Sequence, residues 1–211
     1  MNSGRYLMAT IDQRYFRSDT VFVHRELAYF ATCRLANAIP FSAREQLMSY
    51  RTRCESDIAV RDGNTEEFSA RLFAYWDLVL DLSPGPRLLT TPMLAAALRE
   101  SLHSADGILY QLLAYTIMPT HVHVLFSPIQ APHIPKVESI LDALKVPVDW
   151  RAQRSLHLSG SLWNCDDHVR PLLSREAIER VLRYMRRDPV RAGLVTTMEQ
   201  WSLRWEREAR L

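Results

Sequence analysis

Residues 115–126 read YTIMPTHVHVLF, and this stretch decides how the chain can fold. Successive side chains of a β-strand point to opposite faces of the sheet, so His121 and His123 share one face. The other face carries the apolar residues Val122, Val124 and Phe126. The apolar face can be buried, and two neighbouring imidazoles suit a divalent metal ion. By itself the pair is weak evidence for a site, since strand histidines without a function are common.

A second segment, residues 184–195, reads YMRRDPVRAGLV and closes a predicted helix. Ser174 can cap that helix, which we place at residues 174–187. Its buried face follows the helical spacing at Ile178, Val181, Leu182 and Met185. Pro189 predicts the end of the helix, because the residue before a proline disfavours the helical conformation.

Tyr184 lies beside this apolar stripe, and Asp188 follows four residues later on the same side of the helix. A tyrosine hydroxyl close to a metal ion can attack a phosphate. Taken alone, the segment is explained more simply by a tyrosine at the rim of the core.

Strands and helices alternate through the rest of the chain. Further strands are predicted at residues 27–35, 110–117 and within 162–169. Helices are predicted at 42–81 with a break at 62–64, at 92–103 and at 138–145, with 146–160 irregular. This order favours an α+β fold, an antiparallel sheet with helices on one face. We expect an N-terminal arm at 1–26, one domain at 27–205 with a helical insertion at about 42–81, and a tail at 206–211.

Composition excludes several classes of protein. The 211 residues include only 6 glycines, and no phosphate-binding glycine motif is present, so no nucleotide cofactor is expected. The 3 cysteines are far apart, which argues against a zinc ribbon and favours the reduced thiols of a cytoplasmic protein. No apolar run is long enough to span a membrane, and the N-terminus does not resemble a signal peptide.

Charge is uneven along the chain. The net charge is +2, but the segment from Arg170 to the end holds ten arginines against six acidic residues. A basic segment indicates an anionic partner, with nucleic acid the first candidate. A solvated helix face rich in arginine is the alternative.

Taken together, the two motifs resemble those of REP-associated tyrosine transposases, within the HUH single-tyrosine transposase superfamily (insertion sequence 200-like transposases). Residues 118–123, MPTHVH, are similar to that family's MPNHVH strand, and residues 184–195 to its YIxxNPVxAGLV helix end. Weaker similarities in the same order extend the resemblance over roughly residues 27–205. Thr120 and Asp188 each stand where the family has asparagine.

The resemblance implies a ferredoxin-like or RRM-like domain that cleaves and rejoins single-stranded, hairpin-containing DNA. Mg²⁺ or Mn²⁺ would be held by His121, His123 and Asp188, and Tyr184 would attack the DNA to form a 5′-phosphotyrosine. The DNA itself would be the partner of a protein that is expected to be a monomer rather than a homodimer. The candidate DNA contacts are Arg170, Arg183, Arg186, Arg187 and Arg191.

Two other functions stay open at this point. An HUH replication or mobilisation nuclease would share the metal chemistry, although such enzymes usually carry larger partner domains. A protein that has lost catalysis and only holds DNA hairpins would explain why Asp188 departs from the family pattern. A covalent protein–DNA adduct would separate the enzymes from the binding protein.

Overall fold

The computed structural model describes residues 27–61, 65–129 and 136–208. The predicted arm at 1–26 and the predicted helix break at 62–64 lie outside these ranges. The strands are β1 (Ala28–Arg34), β2 (Tyr110–Ile117), β3 (His121–Pro128), β4 (His168–Leu172) and β5 (Arg204–Glu206). The helices are α1 (Phe41–Arg61), α2 (Thr65–Leu82), α3 (Pro92–Ser104), α4 (Val137–Leu156) and α5 (Arg175–Arg191).

The strands form one antiparallel sheet in the order β4-β1-β3-β2-β5. The first four strands and their crossover connections give the ferredoxin-like arrangement, which confirms the predicted fold class. β5 adds a fifth strand at the free edge of β2 and ends at Glu206, one residue beyond the predicted domain boundary.

The side chains of β3 alternate between the two faces of the sheet, as the sequence predicts. Val122, Val124 and Phe126 belong to the larger core, which α3 and α4 cover with residues such as Leu98 and Leu144. The opposite face carries His121, His123 and Leu125. On that face α5 packs with Val181 and Met185, and α2 contributes Phe73. Helices therefore cover both faces of the sheet and not the single face that we predicted, and the histidine side chains lie between the sheet and helices α2 and α5.

The end of α5 differs from the prediction. The helix continues through Pro189 to Arg191, so the predicted stop at this proline was wrong. A proline cannot donate to the carbonyl four residues earlier, here that of Met185. The hydroxyl of Thr116 on β2 donates to that carbonyl at 3.3 Å, so the lost partner is replaced from the sheet. The helix ends instead before Gly193, whose φ of 67° is the left-handed conformation that glycine adopts at helix ends.

A second proline lies inside α4. We expected a helix at 138–145 and an irregular stretch to 160, but α4 runs from Val137 to Leu156 through Pro147. Two backbone carbonyls just before this proline accept hydrogen bonds from side chains. The hydroxyl of Ser101 donates to the carbonyl of Leu144 at 2.7 Å, and the indole N–H of Trp163 donates to the carbonyl of Lys145 at 3.1 Å. The backbone of Trp163 forms an isolated β-bridge with Leu35, and β4 starts later than predicted, at His168.

Within the described ranges, no helix combines the length and the apolar character needed to cross a membrane.

Candidate metal centre

His121 and His123 lie side by side on β3, the middle strand of the sheet, and both are fully buried. Each Nδ1 faces a threonine hydroxyl. Nδ1 of His123 is 2.8 Å from Oγ1 of Thr32, and Nδ1 of His121 is 3.0 Å from Oγ1 of Thr120. When Nδ1–H donates to such a hydroxyl, the lone pair of Nε2 is free for a metal ion, as is usual in metal-binding histidines.

Two aspartates from different helices face these imidazoles. Asp77 of α2 places its Oδ1 3.3 Å from Nε2 of His123 and 3.7 Å from Nε2 of His121. Asp188 of α5 places its Oδ2 3.2 Å from Nε2 of His123 and 3.9 Å from Nε2 of His121. Both aspartates are fully buried. Two carboxylate oxygens and two imidazole nitrogens thus converge on one small volume.

These four atoms have no hydrogen-bond partner among the described residues, although the distances between them are short. A buried polar atom left without a partner costs roughly 1–3 kcal/mol. Four such atoms in one place are best satisfied by a single cation. The donor atoms of Asp77, His121 and His123 lie within 4.8 Å of one another, so this group can bind a metal ion.

Arg191 closes the outer side of the cluster. Its Nη2 donates to Oδ2 of Asp77 and to Oδ1 of Asp188, and lies 3.0 Å from Oδ2 of Asp81. Asp77 and Asp188 therefore each turn one oxygen toward the imidazoles and the other toward the guanidinium group. We expected Arg191 among the DNA contacts, and the structure places its guanidinium at this cluster.

The proton equilibria of the cluster are shifted by burial and by mutual attraction. Burial lowers the pKa of His123, but the charges of Asp77 and Asp188 outweigh it and raise that pKa to about 10. Burial would raise the pKa of Asp188, yet the neighbouring imidazoles hold it below its usual value. Burial, together with Asp188 and Asp77, raises the pKa of Asp81 to about 8. The neighbouring imidazoles thus favour the charged form of Asp188, whereas Asp81 favours its protonated form.

Tyr184 of α5 borders the same cluster. Its ring meets the ring of His123 edge-on, with 5.7 Å between centroids, and also contacts Phe30 and Phe73. Its hydroxyl oxygen accepts a hydrogen bond from Nη2 of Arg191 at 3.0 Å. The four residues predicted for catalysis and metal binding, Tyr184, His121, His123 and Asp188, are therefore brought together.

The other predicted DNA contacts differ in their surroundings. Arg186 donates to Glu206 of β5 at 2.9 Å, and Arg183 forms an exposed ion pair of 3.7 Å with Glu179. Arg187 is exposed on α5, and Arg170 is half-buried on β4.

Asp77 and Asp81 were not predicted as site residues. They lie four residues apart, and so on one side of α2, within the segment DLVLD. That spacing alone does not distinguish a site from a solvated face. A second set of three donors, from Asp81, His121 and Asp188, also lies within 4.8 Å.

Fold and site together define an antiparallel α+β domain with a buried histidine–aspartate centre beside a tyrosine. Neither a family model nor a curated protein matches the sequence. Among solved structures, the chain is similar to a REP-associated tyrosine transposase bound to a REP hairpin, with a TM-score of 0.51 and 13% identity over 85% of this chain and 76% of that one. The chain therefore has the fold of that transposase.

A further likeness is to a predicted transposase from Deinococcus radiodurans R1, with a TM-score of 0.40 and 16% identity over 77% of this chain and 91% of that one. This second likeness is too weak to add to the first.

Proposed function

We propose that the protein is a metal-dependent enzyme that cleaves and rejoins single-stranded, hairpin-containing DNA through a 5′-phosphotyrosine, as a single-tyrosine HUH transposase does. The observation that carries the proposal is a tyrosine whose ring packs against His123 and whose hydroxyl contacts Arg191, beside four buried ligand atoms that lack partners within the described part of the chain. The transposase fold, found in a structure with a bound REP hairpin, supports it.

A Mg²⁺ or Mn²⁺ ion would be held by His121, His123 and Asp188, with Asp77 facing the same volume. When bound, such an ion acts as a Lewis acid on the phosphate that is cut. The oxygen of Tyr184 attacks the phosphorus, and the bond between phosphorus and the 3′ oxygen breaks. The proton lost by the phenol is balanced by the proton gained by the new 3′-hydroxyl. The phosphotyrosine keeps the phosphodiester energy, so rejoining needs no ATP.

Arg191 orients the nucleophile in this scheme. Its Nη2 lies 3.0 Å from the oxygen of Tyr184, and the positive charge of the guanidinium group favours the partial negative charge that this oxygen needs for attack. Arg183 and Arg187, exposed on the same helix, are suited to contact phosphates of the bound strand. Arg186 is held by Glu206, so we expect it to contribute less to DNA binding.

The test is a covalent adduct. The protein is incubated with a hairpin oligonucleotide that carries a single-stranded flank, in Mn²⁺, in Mg²⁺ and in a chelator, and the products are separated on a denaturing gel. We expect a protein–DNA band that needs a metal ion. The Tyr184→Phe protein, which loses one oxygen, is the matched control and should give no band. An undiminished band from this variant would exclude Tyr184 as nucleophile.

A second candidate is a hairpin-binding protein without catalysis, and Arg191 is the observation that favours it. The guanidinium group already contacts three carboxylates, so it can balance part of their charge without a metal ion. Hairpin binding that is unaffected by metal ions, with no adduct in either Mn²⁺ or Mg²⁺, would support this candidate.

A further inference from the structure

We propose that Asp77 and Asp188 are both metal ligands, which gives a two-histidine, two-carboxylate site that selects Mn²⁺ and similar first-row transition ions over Mg²⁺. The inference rests on the proposed function, because it concerns the same site. It goes further in assigning a fourth ligand from α2, a helix that carries neither of the two sequence motifs.

The two aspartates lie at nearly equal distances from the histidine nitrogens. Oδ1 of Asp77 and Oδ2 of Asp188 lie 3.3 and 3.2 Å from Nε2 of His123. Their distances to Nε2 of His121 are 3.7 and 3.9 Å. If Asp188 is close enough to share an ion with the histidines, Asp77 is equally close.

Each of the four donor groups also has an outer partner. Thr120 and Thr32 face Nδ1 of the two histidines, and Arg191 takes the second oxygen of each aspartate. Such outer contacts fix the orientation of metal ligands in proteins. Because Arg191 occupies one oxygen of each carboxylate, each aspartate presents a single oxygen to the ion. The site thus offers two nitrogen and two oxygen donors.

This donor set determines the class of ion. Mg²⁺ prefers an octahedron of oxygen atoms and usually keeps several of its water molecules. Imidazole nitrogen instead suits transition ions, and carboxylate oxygen suits Mn²⁺ as well. A buried site in which half of the protein donors are imidazoles is therefore poorly matched to Mg²⁺ and well matched to Mn²⁺.

Asp106 provides the matched control. It is also an aspartate paired with an arginine, Arg207, and it belongs to neither of the two donor sets. Asp81 cannot serve as the control, because it belongs to the second donor set, with His121 and Asp188. Loss of a ligand should lower metal affinity, whereas loss of an arginine-paired carboxylate outside the donor sets should leave it nearly unchanged.

The experiment is a metal titration without DNA. The full chain is freed of metal with a chelator, and Mn²⁺ binding is measured by calorimetry for the unchanged protein, Asp77→Asn, Asp188→Asn and Asp106→Asn. We expect the first two variants to lose at least about tenfold in Mn²⁺ affinity, the lower limit for loss of an outer contact. The Asp106→Asn protein should remain within about threefold of the unchanged protein, since its carboxylate belongs to neither donor set.

The unchanged protein gives a second result that depends on no variant. Mg²⁺ should displace Mn²⁺ only at a concentration at least about tenfold higher. Circular dichroism in chelator shows whether each variant is folded, and if Asp77→Asn is not, this competition decides the outcome. Equal affinities for Asp77→Asn and Asp106→Asn, or equal competition by Mg²⁺, would overturn the inference.

These measurements contain no DNA, so they are independent of the proposed function. Selective Mn²⁺ binding through Asp77 without any DNA adduct would leave the inference standing and remove the proposed reaction. An adduct that forms equally well in Mg²⁺, with Asp77→Asn unaffected in metal affinity, would do the reverse.

Discussion

Replacing Arg191 with methionine tests whether the cluster is built to hold a cation. Methionine keeps most of the side-chain length but leaves Asp77, Asp81 and Asp188 without their shared positive partner. Breaking a buried ion pair costs about 3–5 kcal/mol. The side chain of Arg191 is 33% exposed, so water screens part of this charge and we expect a loss of about 2–3 kcal/mol.

For a chain of this length, 1 kcal/mol shifts Tm by about 2–4 °C, so the expected fall in chelator is roughly 4–12 °C. In saturating Mn²⁺ the bound ion balances the carboxylates, and the fall should shrink to less than half. Thermal unfolding followed by circular dichroism measures both values. Arg183→Met is the control, because its exposed pair with Glu179 is worth less than about 1 kcal/mol. An equal fall with and without Mn²⁺ would refute the view that Arg191 and a metal ion serve the same carboxylates.

Four further outcomes are expected. Tyr184→Phe should abolish the adduct on a denaturing gel while its unfolding curve stays close to that of the unchanged protein. Asp188→Asn should weaken metal binding yet still cleave DNA at saturating metal, whereas Asp188→Ala should cleave poorly even at saturating metal. The measurement is a metal titration of DNA cleavage, and the same midpoint and maximal rate for both variants and the unchanged protein would contradict this. Thr32→Val removes the partner of His123 Nδ1 and should lower Mn²⁺ affinity roughly ten- to a hundredfold by calorimetry. Hairpin affinity should fall with salt, and Arg183→Gln or Arg187→Gln should each reduce the slope by about 0.7; a flat salt response would contradict phosphate binding.

The sequence was sufficient where the information is local. Alternation alone placed His121 and His123 on one face of β3 and Val122 and Val124 on the other. The cap at Ser174 is confirmed as well, since its hydroxyl accepts from the backbone N–H of Ala177 at 3.1 Å. These features depend on residues only a few positions apart.

Where a distant residue decides, the sequence was not sufficient. Pro189 stays inside α5 because Thr116, on another strand, supplies the donor that the carbonyl of Met185 lost. Asp77 reaches the histidines only because α2 packs over the sheet face that α5 also covers. The local sequence of either helix does not predict these contacts.

Asp188 was the departure from the family motif that most favoured a loss of catalysis, and the geometry gives a different reason for it. An asparagine has one acceptor oxygen, and its amide nitrogen only donates. At position 188 an acceptor oxygen is required on both sides of the side chain. Oδ2 faces the imidazoles, and Oδ1 accepts a hydrogen bond from Arg191. The amide of an asparagine would have to turn its NH₂ group either toward the guanidinium group of Arg191 or toward the proposed metal site between the imidazoles. Only a carboxylate serves both sides, and the same holds for Asp77. Asp77, Asp188 and Arg191 thus form one interdependent set, in which the aspartate at 188 matches its surroundings as a working ligand would.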